Sequence, residues 1–147
     1  MISQKCQYAL RAAFELGKRW GQGPVKIADI AKVQAIPPRF LEVILSQLKQ
    51  AGFVKSQRGS CGGYILLRRP SELSVGEIIR FLQGPIGPVD CVAGIGQKCP
   101  IRGDCVFLPM WKKAQQAMTQ VYDNTSIQDL LDEERSATGW RADCYVI

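Results

Sequence analysis

The chain has 147 residues, 46% hydrophobic and 22% charged, a composition ordinary for a soluble globular protein and enough for one compact core with an appendage. No stretch approaches the roughly 18 uninterrupted apolar residues of a membrane span, and the start, MISQKCQYALRAAF, carries no export signal, so a cytoplasmic location and no membrane partner are expected. The net charge of +6 is unevenly placed: residues 1–69 hold twelve Lys or Arg against three acids, a balance of +9, and residues 70–147 hold seven against ten, a balance of −3, which points to a polyanion partner for the first half only.

The first predicted element is a helix from Ser3, a possible N-cap, to about Trp20, with Leu10, Ala13, Phe14 and Gly17 at helical spacing. Gly21 to Pro24 ends it, and a two-turn helix over 28–33 follows with Ile27, Ile30 and Ala31 on one side. After the turn Gln34-Ala35-Ile36 comes Pro38, which lacks an N–H and suits the first turn of a helix running to Ala51, with Gly52 as terminator. Its expected buried stripe is Phe40, Leu41, Ile44, Leu45 and Leu48, leaving Arg39, Glu42, Val43, Ser46 and Lys49 outward. Phe53–Gln57 and Tyr64–Leu67 read as strands around the glycine-rich turn Arg58–Gly63, a hairpin. Helix, tight turn, helix and basic hairpin is the order of a winged helix-turn-helix, in which glycines let backbone approach phosphates.

Ser74-Val75-Gly76-Glu77 has the form of a capping box for a helix through Gln83, stopped by Gly84-Pro85. From Gly84 to about Gly103 nothing is periodic, and a loop of about twenty residues is uncommon unless it has a function. A long helix over 104–124 follows, with Val106, Met110, Ala114, Ala117 or Met118, and Val121 as an apolar line suited to pairing with its twin or to packing on its own domain. Ser126–Asp129 again resembles a cap, for a short acidic helix ending near Glu134, and the tail beyond Ser136 shows no clear period. The expected fold is thus mainly α with a small β-hairpin, a winged helix-turn-helix plus a long dimerisation helix. Its segments are a DNA-binding domain over 1–83, a cysteine loop over 84–105, the dimerisation and short helices over 106–134, and a tail over 135–147.

Arg39 and Glu42 stand one turn apart at the start of the third helix, where Arg matches guanine O6 and N7 and Glu accepts from cytosine N4; a plain surface pair is the competing reading. Cysteines 91, 99 and 105, spaced x7 and x5, put three thiols in a loop able to converge on one metal. Thiolates suit iron–sulfur clusters, and structural zinc is the rival, although zinc normally takes four Cys or His ligands and histidine is absent. Cys61 falls in the hairpin turn, Cys6 in the first helix and Cys144 in the tail. No catalytic triad, phosphate loop or nucleotide fingerprint is present, so no enzyme is expected.

The runs YALRAAFEL, IADIA, IPPRFLEVILSQLKQAGFVKSQRG, GGYILLRRP and LSVGEII, followed by three cysteines and a long helix, resemble the Rrf2 family of winged-helix transcription regulators, which includes IscR, NsrR, RirA and CymR. The resemblance covers about residues 2–131 and implies a homodimer binding near-palindromic double-stranded DNA. By position it carries base or groove contact to Arg39, Glu42, Val43 and Arg58; the full candidate DNA-binding set adds Ser46, Gly59, Gly62 and Tyr64. It also implies an iron–sulfur cluster on Cys91, Cys99 and Cys105, with the x7 spacing pointing to 4Fe-4S rather than 2Fe-2S. The family's fourth ligands do not transfer, because Leu108 stands where one branch has histidine and Gln7 where another has a carboxylate; Cys6, Asp90, Asp104 or an outside ligand are the alternatives. A cluster-free branch, controlled by a partner protein of cysteine metabolism or by thiol oxidation, is the competing function.

Overall fold

The computed structural model describes residues 1–94, 99–101 and 103–144, of which 139–144 by backbone alone. Positions 145–147 of the expected tail, and parts of the cysteine loop, lie outside the described residues. Helix α1 spans Gln4–Lys18 and starts where expected: the Ser3 hydroxyl accepts from the Cys6 backbone N–H at 3.2 Å. Its Ala9, Ala12, Ala13 and Leu16 are buried, and these small side chains let α1 run through the centre, against α2, α3, α4 and α7.

Helix α2, Ile27–Gln34, buries Ile30 and Ala31 and ends at Ala35, the one non-glycine residue among those described with positive φ, at 51°. That left-handed residue turns the chain within a few positions into α3, Pro38–Gln50. Leu41, Ile44, Leu45 and Leu48 form the buried stripe of α3 as its period requires. Phe40 does not join it: the side chain is 62% exposed. It sits in the first turn at the edge of the stripe, next to the fully buried Leu41, and it borders an apolar groove with Lys5 and Tyr8 of α1.

Strands β1, Val54–Gln57, and β2, Gly63–Leu66, pair antiparallel with Val54 opposite Leu66 and Gln57 opposite Gly63. A third segment unforeseen in the sequence joins them: Val25 and Tyr64 exchange both backbone bonds, at 2.9 and 2.8 Å. Gly63 permits this approach, since a Cβ there would collide with the Val25 carbonyl. Helix α4, Val75–Gln83, has the full capping box, Glu77 N–H to the Ser74 hydroxyl at 3.2 Å and Ser74 N–H to the Glu77 carboxylate at 3.0 Å.

Beyond α4 the expected aperiodic loop contains a four-residue helix, α5, Asp90–Ala93, too short to leave a periodic signal and closed by Gly94 at φ +77°. Helix α6 is Leu108–Asp123, four residues later in its start than expected, with Pro109 in its first turn. Helix α7 spans Ile127–Cys144, well past the expected end near Glu134. Its start is capped by the expected Ser126–Asp129 exchange, at 2.8 and 3.0 Å, and Ile127 and Leu131 are buried in the main core. The N-termini of α4 and α7 are stitched together, Val75 N–H to Thr125 O and Ile127 N–H to Leu73 O, both 2.9 Å. Among the described residues no helix is long and apolar enough to cross a membrane.

Candidate nucleic-acid interface and cysteine loop

Because α3 buries one side against α1 and α2, its other side is free, and Arg39, Glu42, Val43 and Ser46 are all exposed there. Arg39 and Glu42 form no ion pair with each other or with any other described residue, so the surface-pair reading has no contact behind it. The hairpin projects beside this helix. Arg58 is exposed at the end of β1, Gly59 has φ +112°, and the Gly62 N–H donates to the Gly59 carbonyl at 3.0 Å, which makes the tip a tight, side-chain-poor turn. Tyr64 stands apart from the rest of the candidate set: its backbone is tied to Val25 and its ring is half-buried against the core. Of the twelve basic residues over 1–69, only Lys18, Arg19 and Arg68 are in ion pairs among the described residues, so the positive excess of this half is largely unneutralised.

Beside α3 lies a polar chain that the sequence did not disclose. Glu15, 3% exposed, accepts from the Gln34 amide at 2.8 Å, and the Gln34 carbonyl oxygen lies 3.4 Å from Arg11 Nε as its acceptor. Arg19 approaches Glu15 at 3.8 Å. Gln34 is the last residue of α2, so this network fixes the helix end from which α3 departs.

The cysteine segment joins α4 to α6. Ile86 is buried with Val75 and Ile79, against Met118 and Tyr122 of α6. Gln115 of α6 donates to two loop carbonyls, Ile86 at 3.0 Å and Val92 at 2.7 Å. Cys91, in α5, and Cys99 and Cys105, in the loop, are half-exposed and unbonded to other cysteines. Among the described residues no group of three or more Cys, Asp or Glu is close enough to hold a metal ion. Of the fourth-ligand alternatives, Cys6 is wholly buried in α1, Gln7 is exposed with its amide turned back to the Ile2 carbonyl at 3.3 Å, and Asp90 and Asp104 are exposed. Cys61 is exposed in the hairpin tip.

Residues 2–133 match the family model described as Rrf2, iron-dependent transcriptional regulator. The chain belongs to the Rrf2 family. The HTH-type transcriptional regulator CymR of Bacillus subtilis is 36% identical over 129 residues, 88% of either chain. Its solved structure, described as that of the global cysteine regulator of B. subtilis, superposes with a TM-score of 0.75 at 35% identity, covering 90% of this chain and 97% of that one. The structure of T. potens IscR superposes at 0.76 with 33% identity, covering 93% and 90%. This Rrf2 protein is therefore a winged-helix, DNA-binding transcriptional regulator, and its relatives are regulators rather than enzymes.

Two polar clamps give the Rrf2 chain its frame around the loop. Arg80 of α4 and Asp123 at the end of α6 form a two-pronged pair at 2.6 and 2.8 Å; that hydrogen bonding holds the Asp123 carboxyl below its ordinary value and the Arg80 guanidinium above its own. At Glu77 burial pushes the carboxyl up, but the Ser74 N–H and Arg68, 2.9 Å away, outweigh it and leave the group lowered. On α6, Val106 and Phe107 just before it and Met110 and Val121 within it are exposed, while Met118 and Tyr122 face the protein's own core. The donor chemistry of three free thiols in one segment fits a thiolate-bound group.

Proposed function

We propose that the protein is a homodimeric operator-binding regulator in which the cysteine segment controls DNA affinity. Arg39, Glu42, Val43 and Ser46 of α3 read base edges in the major groove, and Arg58 with Gly59 and Gly62 brings the wing against phosphates and the minor groove. Tyr64 supports the wing from beneath rather than touching DNA. The exposed line Met110–Val121 on α6 pairs with its twin in a second copy and sets the separation of the two reading helices.

The observation that carries the regulatory part is placement: three free, half-exposed cysteines lie in the one segment that joins the DNA-binding module to α6. With the family's description as iron-dependent, this favours an iron–sulfur cluster on Cys91, Cys99 and Cys105, of the 4Fe-4S type. When bound, such a cluster supplies a cross-link sensitive to oxidants and iron supply. The chain's own part is to convert a tied or untied loop into a shifted balance between DNA-competent and incompetent spacings. Purification without oxygen, followed by iron and sulfide analysis and by DNA titration of loaded and stripped protein, tests this. Iron and acid-labile sulfide in about equal amounts, with different affinities in the two states, are expected; iron-free protein would sink the cluster reading.

A second reading has its own support. No group that could hold a metal is found among the described residues, and the B. subtilis relative is described as a cysteine regulator. In that case the chain is cluster-free, its DNA binding follows thiol oxidation or a partner protein, and a colourless oxygen-free preparation whose DNA affinity responds to peroxide is the distinguishing result.

A further inference from the structure

We infer that Gln115 is the positioning residue through which the cysteine segment and α6 move as one body. This deepens the control role proposed for that segment and rests on it. A side-chain amide has two N–H donors, and Gln115 uses them on carbonyls at both ends of the stretch that leads into the cysteines, Ile86 at 3.0 Å and Val92 at 2.7 Å. Val92 adjoins Cys91, so the first thiol lies one residue from a carbonyl that α6 holds. Little else secures the stretch. Helix α5 has four residues and none of them is buried, and its backbone bonds are local, from Val92 and Ala93 back to Val89 and from Gly94 back to Asp90.

The amide is well placed to pass on a change. Ile86 is anchored in the small cluster with Val75 and Ile79 of α4, so one end of the stretch is fixed to the DNA-binding module. The other end, at Val92, is tied to α6 by this amide. Any chemistry that repositions Cys91 must stretch or release the Val92 bond, and α6 then loses a contact at the middle of its inward face. Gln115 is half-buried, which limits competition from water without removing the residue from exchange. Arg80, Thr119 and Gln120 line an open groove of about 700 Å³ beside it, leaving room for the segment to move.

Hydrogen exchange on the full, iron-free chain tests this without any cluster. Gln115→Glu keeps size but removes the donors, and exchange in peptides spanning 86–94 is expected to speed up about thirtyfold, the effect of losing two ordinary hydrogen bonds. Gln115→Lys keeps an N–H donor and is expected to recover much of the protection. Alkylating the loop thiols with N-ethylmaleimide is then expected to alter exchange in α6 of the unsubstituted protein and to leave α6 of Gln115→Glu unchanged. Equal exchange over 86–94 in Gln115→Glu and the unsubstituted chain overturns the assignment, as does loosening in Gln115→Lys equal to that in Gln115→Glu. Because no arm uses iron, a chain that never binds iron can still uphold the role of Gln115, and an iron-loaded chain can still refute it.

Discussion

Helix α3 buries Leu41, Leu45 and Leu48 completely, whereas α6, three residues longer, has no buried residue at all. The DNA-binding module is held by apolar packing around α1, while the cysteine segment and α6 are held by Ile86, the Gln115 amide and the Arg80–Asp123 pair. Packing of the first kind has one low-energy arrangement, because close-packed side chains tolerate little displacement. Polar ties of the second kind each contribute about 1 kcal/mol net and can be exchanged for water. A rigid reader joined to a lightly held segment is the division of labour a regulator needs, and it places the movable part where the cysteines are.

The comparison is broken most forcefully from the packed side. Leu45→Ala empties a fully buried position of α3 and is expected to cost about 2–5 kcal/mol in urea unfolding. Phe40→Ala, five residues earlier on the same helix but 62% exposed, is expected to cost a small fraction of that. Equal losses at the two positions would mean that Phe40 belongs to the core after all.

Much of the packed module is legible in the sequence because its signals are local. Ser3, Pro38, Gly52 and the Ser74–Glu77 box mark helix ends by backbone chemistry that needs no tertiary partner, and the glycines at 59, 62 and 63 mark the hairpin. Phe40 misleads because helical period assigns a face but not how wide the buried stripe is, and the core covers the adjacent Leu41 but not Phe40. Helix α7 misleads in the opposite sense: its length beyond Glu134 rests on nucleation by the buried Ile127 and Leu131, after which each added turn forms without an apolar stripe, and even Thr138 bonds back to the Glu134 carbonyl at 2.8 Å. The Val25–Tyr64 bridge, the Glu15–Gln34 network and the Gln115 contacts were not legible, since each joins residues more than fifteen positions apart and lacks a motif. The cysteines are the reverse case, conspicuous in sequence, while among the described residues no group that could hold a metal is found.

A smaller effect sharpens the functional half of the contrast. Arg39 is exposed and unpaired, so Arg39→Ala is expected to leave unfolding unchanged within about 0.5 kcal/mol. On a duplex selected from random DNA by the protein itself, the same change is expected to weaken binding by about 1–3 kcal/mol and to relax preference at one position per half-site. If only the salt dependence changes, Arg39 contacts phosphate and the base-reading role passes to Glu42 or Val43.

The smallest expected effect concerns acid, and it bears on the lightly held side alone. The Asp123 carboxyl is held below its ordinary value by Arg80, so the folded state releases its proton more readily than the unfolded chain. The stability this gives is fully present above the ordinary carboxylate pKa, near 4, and disappears as pH falls through the lower folded value. Both partners are more than one-third exposed, so screening limits the pair to about 0.2–1 kcal/mol. Asp123→Asn is therefore expected to reduce stability slightly at neutral pH and to lose less than the parent between about pH 5 and about pH 2, so that the two curves converge in acid. Parallel curves would show that Arg80 does not fasten α6 through this carboxylate, and would leave the Gln115 amide and the packing of Met118 and Tyr122 on the Val75–Ile79–Ile86 cluster to hold α6.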